Sequence, residues 1–226
     1  MIGIIGAMKI ETDGIIALIK NPKTTSISNI LFTSGAIGKQ DVVVATCGVG
    51  KVFAAMCAQT MILAFHPDKI INIGVGGALC GSLHICDLVI AEKALQYDMD
   101  TSATGDPKGL ISGINVIYFE CDLPLRQQLT ELSKKLNISA ANGTIASADR
   151  FLSAPTEKEQ VKKEFGAIAC DMESGAIAQV CYVNQIPVCI LRSISDGADT
   201  DGAMDYAKFC HIATEQTISL ISSLFS

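Results

Sequence analysis

Short runs of β-branched residues, each ended by a turn and followed by a helix-like pattern, recur along this chain of 226 residues. Residues 2–5 form such a run, which ends at Gly6 and leads into 11–19, where isoleucines recur on one helical face. Residues 69–73 and 188–193 are further runs of this kind. Strands that alternate with helices favour a three-layer α/β fold, with a mostly parallel, twisted central sheet flanked by helices.

The rest of the chain follows the same pattern and contains no repeat, low-complexity tract or long linker. The other predicted strands are 29–33, 41–46, 87–91, 140–147 and 167–170, and the other predicted helices are 51–65, 123–136, 156–165, 173–183 and 206–224. The sequence therefore predicts one domain over residues 1–226, a normal length for a single α/β domain.

The composition is apolar, with 49% hydrophobic and only 18% charged residues. This much apolar surface excludes disorder, because its burial offsets the entropy of ordering the chain. A membrane span is not expected, because the most apolar region, 70–91, is interrupted by Asn72, His84 and Asp87. The apolar excess is expected to be buried in the core and at a subunit interface.

Charge and cysteine content narrow the possible partners and the compartment. The net charge is −6 with only three arginines, so a nucleic-acid partner is not expected. The nine cysteines are scattered and form no C-x-x-C pair, which indicates reduced thiols in a cytoplasmic protein. The apolar N-terminus lacks a basic region and is expected to be a strand, not a signal peptide.

Ligands of open α/β sheets bind beyond the carboxyl ends of the strands, so these ends are where functional residues are expected. Glu11 follows the first strand, although an acid in the first turn of a helix is also favourable without any function. The glycine-rich segment 74–77 is by itself best explained as a tight turn, and it would also let a ligand approach the backbone. It lacks both the Walker and the dinucleotide-binding spacing, so neither ligand class is supported.

Acidic residues also follow two later strands. Asp171 and Glu173 lie at a strand–helix junction, where Asp171 is explained as a helix cap and Glu173 is left to accept hydrogen bonds from a sugar diol. Asp196 follows 188–193 and suits a general acid in a partly dry pocket, or equally an Asx turn. Without a nucleophile–histidine pair or metal-ligand spacing, three carboxylates point to proton transfer or glycosidic chemistry.

Six segments together carry a family resemblance. They are 3–8 followed by Glu11, 48–51, 74–78, 147–151, 171–173 and 192–196. In this order they resemble the 5′-methylthioadenosine/S-adenosylhomocysteine nucleosidases of the purine nucleoside phosphorylase superfamily, over essentially the whole chain. The resemblance implies a nucleoside phosphorylase-like fold and a homodimer without metal or cofactor. It also implies hydrolysis of the N-glycosidic bond, which releases adenine and 5-methylthioribose or S-ribosylhomocysteine.

The resemblance also implies roles for individual residues. Asp196 would protonate purine N7, and Glu11, helped by Arg192, would activate the attacking water. The implied substrate contacts are Glu173 and Met172 at the ribose, Phe151 and Leu152 at the base, Met8 and Val49 at the ribose and 5′-thio side, Val75 near the water, and Tyr206 near the alkylthio group.

Four departures from the family pattern cover five positions. Val75 replaces a serine found near the water in some members, and Thr104 replaces an aromatic residue that often lines the thioalkyl side. The segment 9–10 lacks the usual acids, and Asp171 replaces a glutamate of the Glu-Met-Glu signature. No departure removes a proposed catalytic carboxylate.

Three alternatives stay open at the level of sequence. A nucleoside phosphorylase would need cationic phosphate ligands, which are scarce here. A nucleosidase acting on aminodeoxyfutalosine or 5′-deoxyadenosine would differ in its 5′ pocket. A non-catalytic nucleoside-binding domain would lack or misplace one of Glu11, Glu173 and Asp196.

Overall fold

The computed structural model describes residues 1–196 and 206–226, which contain ten strands and six α-helices. The strands are β1 (Ile2–Gly6), β2 (Lys20–Ile27), β3 (Ile30–Ile37), β4 (Gln40–Thr46), β5 (Lys69–Ala78), β6 (Leu88–Gln96), β7 (Phe119–Glu120), β8 (Ala140–Ser147), β9 (Ala167–Asp171) and β10 (Val188–Asp196). The helices are α1 (Lys9–Ile16), α2 (Lys51–Phe65), α3 (Leu123–Lys135), α4 (Pro155–Phe165), α5 (Ser174–Val183) and α6 (Tyr206–Leu224). A single 3-10 turn covers Ser102–Thr104.

Neighbouring residues of the central strands alternate between two cores on opposite faces of the sheet. Ile5 and Ile70 pack in one core, which α2 and α5 cover, whereas Ile4 and Ile71 pack in the other, which α1, α3 and α6 cover. The alternation follows from the two-residue period of a strand, and it confirms the prediction that helices flank both faces. None of the described helices has both the length and the apolar character of a membrane span.

The strands form one mixed sheet, so the predicted predominance of parallel pairing is not confirmed. The order is β10-β6-β8-β9-β5-β1-β4-β3-β2, with β7 beside β6. Five strand pairings are parallel and five are antiparallel. Short connections explain part of the difference, because they can only join antiparallel neighbours. The two residues between β2 and β3, Ser28 and Asn29, both have positive φ, as a tight hairpin turn requires.

Five strands of the sheet close into a ring. β10 pairs with β6 and also with β5, and the circuit returns to β5 through β8 and β9. The ring places Gly77 directly opposite both Asp196 of β10 and Cys170 of β9. Residues far apart in sequence therefore meet at this end of the sheet.

Several strands run further than the sequence pattern predicts, among them β3 and two strands of the ring. β5 continues through Gly74, Gly76 and Gly77 to Ala78, where a turn was expected, and β10 continues to Asp196 instead of ending at residue 193. These positions of the extended strand require glycine because other groups lie close to the backbone there. A Cβ at Gly76 would lie 2.9 Å from the carbonyl oxygen of Cys170. Close packing, not chain reversal, accounts for these glycines.

The strand β2 was not predicted from the sequence. All but its last residue are exposed, so it lacks the apolar alternation that marks a half-buried strand. It lies at the edge of the sheet, and Pro22 within it is compatible only with an edge position or a bulge.

The isoleucine core can be tested at Ile71, which is fully buried. We expect Ile71→Ala to lower the free energy of unfolding by about 2–5 kcal/mol and Ile71→Val by about 0.5–1.5 kcal/mol, because the first leaves the larger cavity. Leu31→Ala, at a position 57% exposed, should cost less than about 1 kcal/mol. Urea unfolding of the three variants measures the order, and equal losses at Ile71 and Leu31 would contradict this assignment of the core.

Candidate active site

A cavity of about 360 Å³ opens where β1, β5, β9 and β10 end. This volume is in the range of small-molecule sites. It is lined by Ala7, Met8, Glu11, Val49, Val75, Gly76, Gly77, Arg150, Phe151, Leu152, Cys170, Asp171, Met172, Glu173, Ser195 and Asp196. Apolar side chains thus meet four carboxylates here, those of Glu11, Asp171, Glu173 and Asp196.

Glu11 is the third residue of α1, and its side chain folds back over the start of the helix. Its Oε2 accepts hydrogen bonds from the backbone N–H groups of Ala7 at 2.7 Å and Met8 at 2.9 Å, and its Oε1 accepts one from Val75 at 3.1 Å. A glutamate at this position commonly reaches back to the helix cap, so the structural explanation of Glu11 holds. The same contacts aim the carboxylate into the cavity, so the two explanations do not compete.

Two glycines of β5 leave the space that the catalytic candidates occupy. A Cβ at Gly74 would lie 3.0 Å from Oε1 of Glu11, and a Cβ at Gly77 would lie 3.1 Å from Oδ1 of Asp196. Any side chain at these positions would push against a carboxylate that other contacts hold in place.

Glu173 is buried at the entrance to α5 and faces α2. Its Oε1 accepts a hydrogen bond from the N–H of Gly50 at 2.8 Å. Gly50 has φ +99°, which explains why the turn before α2 needs glycine there. Burial, and next repulsion by Asp171, raise the pKa of Glu173 to about 7, although Arg192 and the Gly50 N–H lower it.

Arg192 is 1% exposed and lies at the centre of a buried hydrogen-bond network. Its guanidinium donates to Oδ2 of Asp171 at 2.8 Å, to Oδ1 of Asn72 at 2.6 Å and to the carbonyl of Leu191 at 2.9 Å. The carboxylate of Asp171 also accepts the N–H of Ser174, the first residue of α5, so it caps that helix as predicted, although Glu173 is the residue at the cap position.

Asp196 ends β10 and is held on both of its oxygens. Oδ1 accepts a hydrogen bond from Ser195 Oγ at 3.0 Å, and Oδ2 lies 2.6 Å from Nζ of Lys158 on α4. The Lys158 side chain is 7% exposed and does not line the cavity among the described residues, whereas the side chain of Asp196 is 34% exposed and does line it.

The structure brings nine of the eleven predicted site residues to the cavity. These are Met8, Glu11, Val49, Val75, Phe151, Leu152, Met172, Glu173 and Asp196. Within the described ranges, Arg192 does not line the cavity and its hydrogen bonds go to Asp171, Asn72 and Leu191, none to Glu11. The side chain of Tyr206 lies outside the described residues. The roles assigned to all eleven residues remain predictions.

Sequence reasoning missed Lys158 and the cavity-facing thiol of Cys170. A signal for Lys158 exists, because it shares the spacing of the buried Val161 and Phe165 on one face of α4. Cys170 is a neutral thiol, since burial and the nearby Asp171 raise its pKa to about 12. Burial likewise raises the pKa values of Cys47, Cys181 and Cys189 to about 12.

No metal site is found in the part of the chain that the structure describes. There, histidine, cysteine and carboxylate side chains do not gather in any group of three or more that could hold an ion. The predicted absence of a cofactor stays a prediction.

Comparison with known proteins agrees with this geometry. The sequence profile of the Phosphorylase superfamily matches residues 1–226. A Staphylococcus aureus protein named 5′-methylthioadenosine/S-adenosylhomocysteine nucleosidase is 33% identical over 231 aligned residues, which cover 100% of this chain and 99% of that protein.

Solved structures show the same fold at similar identity. A mutant of the Helicobacter pylori 5′-methylthioadenosine/S-adenosylhomocysteine nucleosidase (MTAN), with 5′-methylthioadenosine in its active site, superposes with a TM-score of 0.92 at 32% identity. The match covers 99% of this chain and 96% of that one. The futalosine hydrolase of Helicobacter pylori superposes with a TM-score of 0.91 at 33% identity, with the same coverage. This chain therefore belongs to the phosphorylase superfamily and, within it, to the family of 5′-methylthioadenosine/S-adenosylhomocysteine nucleosidases.

Proposed function

We propose that this protein hydrolyses the N-glycosidic bond of 5′-methylthioadenosine and S-adenosylhomocysteine. The products are adenine and 5-methylthioribose or S-ribosylhomocysteine. One observation carries the proposal: Glu11, Glu173 and Asp196 border a single cavity of nucleoside size in a chain of this family.

The sugar side of the reaction is assigned to Glu11 and Glu173. Glycosidic cleavage passes through an oxocarbenium-like state, whose positive charge nearby carboxylates stabilise. Glu173 accepts hydrogen bonds from the ribose hydroxyls, and the positive charge that develops on the sugar favours its ionised form. Its Oε1 already accepts the N–H of Gly50, so the orientation of the carboxylate is fixed before substrate binds.

Glu11 activates the attacking water. Its two oxygens are oriented by three backbone N–H groups, and a carboxylate retains further lone pairs after accepting these bonds. Val75 offers no hydroxyl to the water, and Arg192 is engaged by Asp171 and Asn72, so Glu11 performs this step without a side-chain partner from either position.

Asp196 supplies the proton that makes adenine a good leaving group. The proton passes from its carboxyl group to purine N7 while the electron pair of the C1′–N9 bond moves onto the base. Phe151 and Leu152 also line the cavity, and in this proposal Phe151 stacks on the base while the backbone of Leu152 reads its edge. Met172 packs against the sugar, and Met8 and Val49 form an apolar 5′ side.

A phosphorylase is the first alternative, and the charges around the cavity disfavour it. Among its described lining residues Arg150 is the single cation, and its guanidinium lies 2.6 Å from Glu157. A phosphate entering beside Glu11 would meet an uncompensated carboxylate. Water carries no such penalty.

A second candidate is a futalosine-type nucleosidase, favoured by the resemblance to the Helicobacter pylori futalosine hydrolase structure. The 5′ substituent distinguishes these substrates. An apolar 5′ side formed by Met8 and Val49 suits a thioether better than a charged aromatic group. Thr104 is exposed and is not among the described residues that line the cavity.

We also propose that residues 1–226 act as one nucleosidase domain and form a homodimer in the cytoplasm. The exposed side of α2 supports the dimer, because it presents the large apolar side chains Val52, Phe53, Met56 and Leu63. The eight cysteines that the structure describes are reduced thiols, most of them buried, which supports a reducing compartment.

The nucleophile and the substrate are tested together by adenine release from four nucleosides, each with and without phosphate. The four are 5′-methylthioadenosine, S-adenosylhomocysteine, 5′-deoxyadenosine and aminodeoxyfutalosine. We expect the two thio-nucleosides to react in phosphate-free buffer at unchanged rate. Methylthioadenosine should exceed 5′-deoxyadenosine in kcat/KM by about tenfold, because the methylthio group adds apolar contacts.

Two outcomes of this assay would overturn the assignment. Adenine release that requires phosphate identifies a phosphorylase. A kcat/KM for aminodeoxyfutalosine well above that of both thio-nucleosides identifies the futalosine-type enzyme.

The acid is tested by Asp196→Asn, which removes the proton donor but keeps the shape of the side chain. We expect turnover of methylthioadenosine to fall by about 10²–10⁴-fold, while adenine still binds in calorimetry. Asp41→Asn, at an exposed position in β4, is the matched control and should leave turnover unchanged. Near-normal turnover of Asp196→Asn would remove the residue from the acid role.

The raised pKa of Glu173 predicts how stability depends on pH in the ligand-free protein. Below pH 4.5, the ordinary pKa of a glutamate, the carboxyl is protonated in both the folded and the unfolded chain. Between pH 4.5 and the raised pKa of about 7, only the folded chain keeps the proton. The free energy of unfolding therefore falls as the pH rises through this range. Glu173→Gln has no carboxyl to titrate, so its free energy of unfolding does not fall in this way. In urea unfolding, the free energy of unfolding of Glu173→Gln relative to wild type should therefore rise by roughly 2–3 kcal/mol across that pH range. A difference independent of pH would contradict the buried, protonated carboxyl.

A further inference from the structure

Lys158 is a buried cation in contact with the proposed acid. Its Nζ lies 2.6 Å from Oδ2 of Asp196, and its side chain is 7% exposed. Among described residues it is not part of the cavity lining, so its ammonium contacts the carboxylate from outside that lining. A buried ammonium costs desolvation energy, which the contact with Asp196 helps to offset.

We propose that Lys158 is a positioning residue for the general acid Asp196. The inference rests on the proposed function, because it assigns Lys158 a part in adenine departure. Lys158 fixes the carboxylate toward the base and stabilises the negative charge that remains on Asp196 after its proton has moved to purine N7.

The contacts around Asp196 leave this task to Lys158. Oδ1 is held by the hydroxyl of Ser195, which is neutral, and Gly77 packs against the carboxylate without a side chain. Cys170 beside it is a neutral thiol. Of the described side chains that contact the carboxylate, Lys158 is the one that brings positive charge, and a charge-assisted contact of this length is among the stronger hydrogen bonds in proteins.

The position of Lys158 also connects Asp196 to the segment that contains the proposed adenine contacts Phe151 and Leu152. α4 begins at Pro155, directly after the segment with Phe151 and Leu152, and Lys158 lies in the first turns of that helix. The contact with Asp196 therefore joins the end of β10 to the helix that follows the proposed adenine contacts. The start of α4 therefore contributes both to the placement of Asp196 and to the placement of the proposed adenine contacts.

The experiment is a double-mutant cycle of Lys158→Met and Asp196→Asn, in which the steady-state kinetics of adenine release from methylthioadenosine are measured for each variant. Lys158→Met keeps most of the side-chain stem and removes the charge. We expect it to lower kcat by roughly 10–100-fold while KM changes less than about threefold, because the residue does not line the cavity. In the Asp196→Asn background the same change should have no further effect, since there is no acid left to position.

Matched variants separate this role from a structural one. Lys158→Arg keeps the charge and should retain most of kcat, and Lys162→Met changes an exposed lysine of the same helix and should have no effect. If Lys158→Met does not fold, as judged by circular dichroism and adenine binding, Lys158→Gln takes its place in the cycle.

The outcomes distinguish the inference from the proposed function. An equal loss of kcat in both backgrounds, or an unchanged kcat in Lys158→Met, would overturn the role of Lys158. Failure of wild type to release adenine from any of the four nucleosides overturns the proposed function itself.

Discussion

The hydrogen bonds of the buried Arg192 guanidinium hold the site together. Arg192 joins three strands, because it lies on β10, binds Asp171 at the end of β9 and reaches Asn72 within β5. Removal of any one partner would leave a buried polar group unsatisfied, which is costly in a dry interior. The ends of these strands, and the carboxylates they carry, are therefore held in one relative arrangement.

Around that anchor, each cavity carboxylate has a different environment, which is how one site supports different roles for the same chemical group. Glu11 is held by backbone N–H groups, and Glu173 is buried with a pKa of about 7. Asp196 is paired with an ammonium. The proposed division into water activation, ribose binding and proton donation comes from the family resemblance, and the surroundings show that each of the three carboxylates is held by different partners.

Much of the fold and site was predictable because periodicity and glycine position are local signals. The helices 51–65 and 206–224 and the strand 140–147 agree with the structure to the residue. Edge strand β2 was missed because it buries almost nothing. Glycine marks both turns and close contacts, so the sequence of 74–77 indicates a turn, and only the groups packed against the segment distinguish the two.

The sequence by itself determined the alternation of strands and helices, the family, and which carboxylates to consider, since each rests on local spacing or on motifs in order. Tertiary structure alone decided the mixed, partly closed sheet and the partners of each charge. Arg192 serves Asp171 and Asn72 and not Glu11, and Lys158 serves Asp196 across 38 residues of chain. Such pairings depend on which distant elements share a buried space, and no local pattern in one sequence records that.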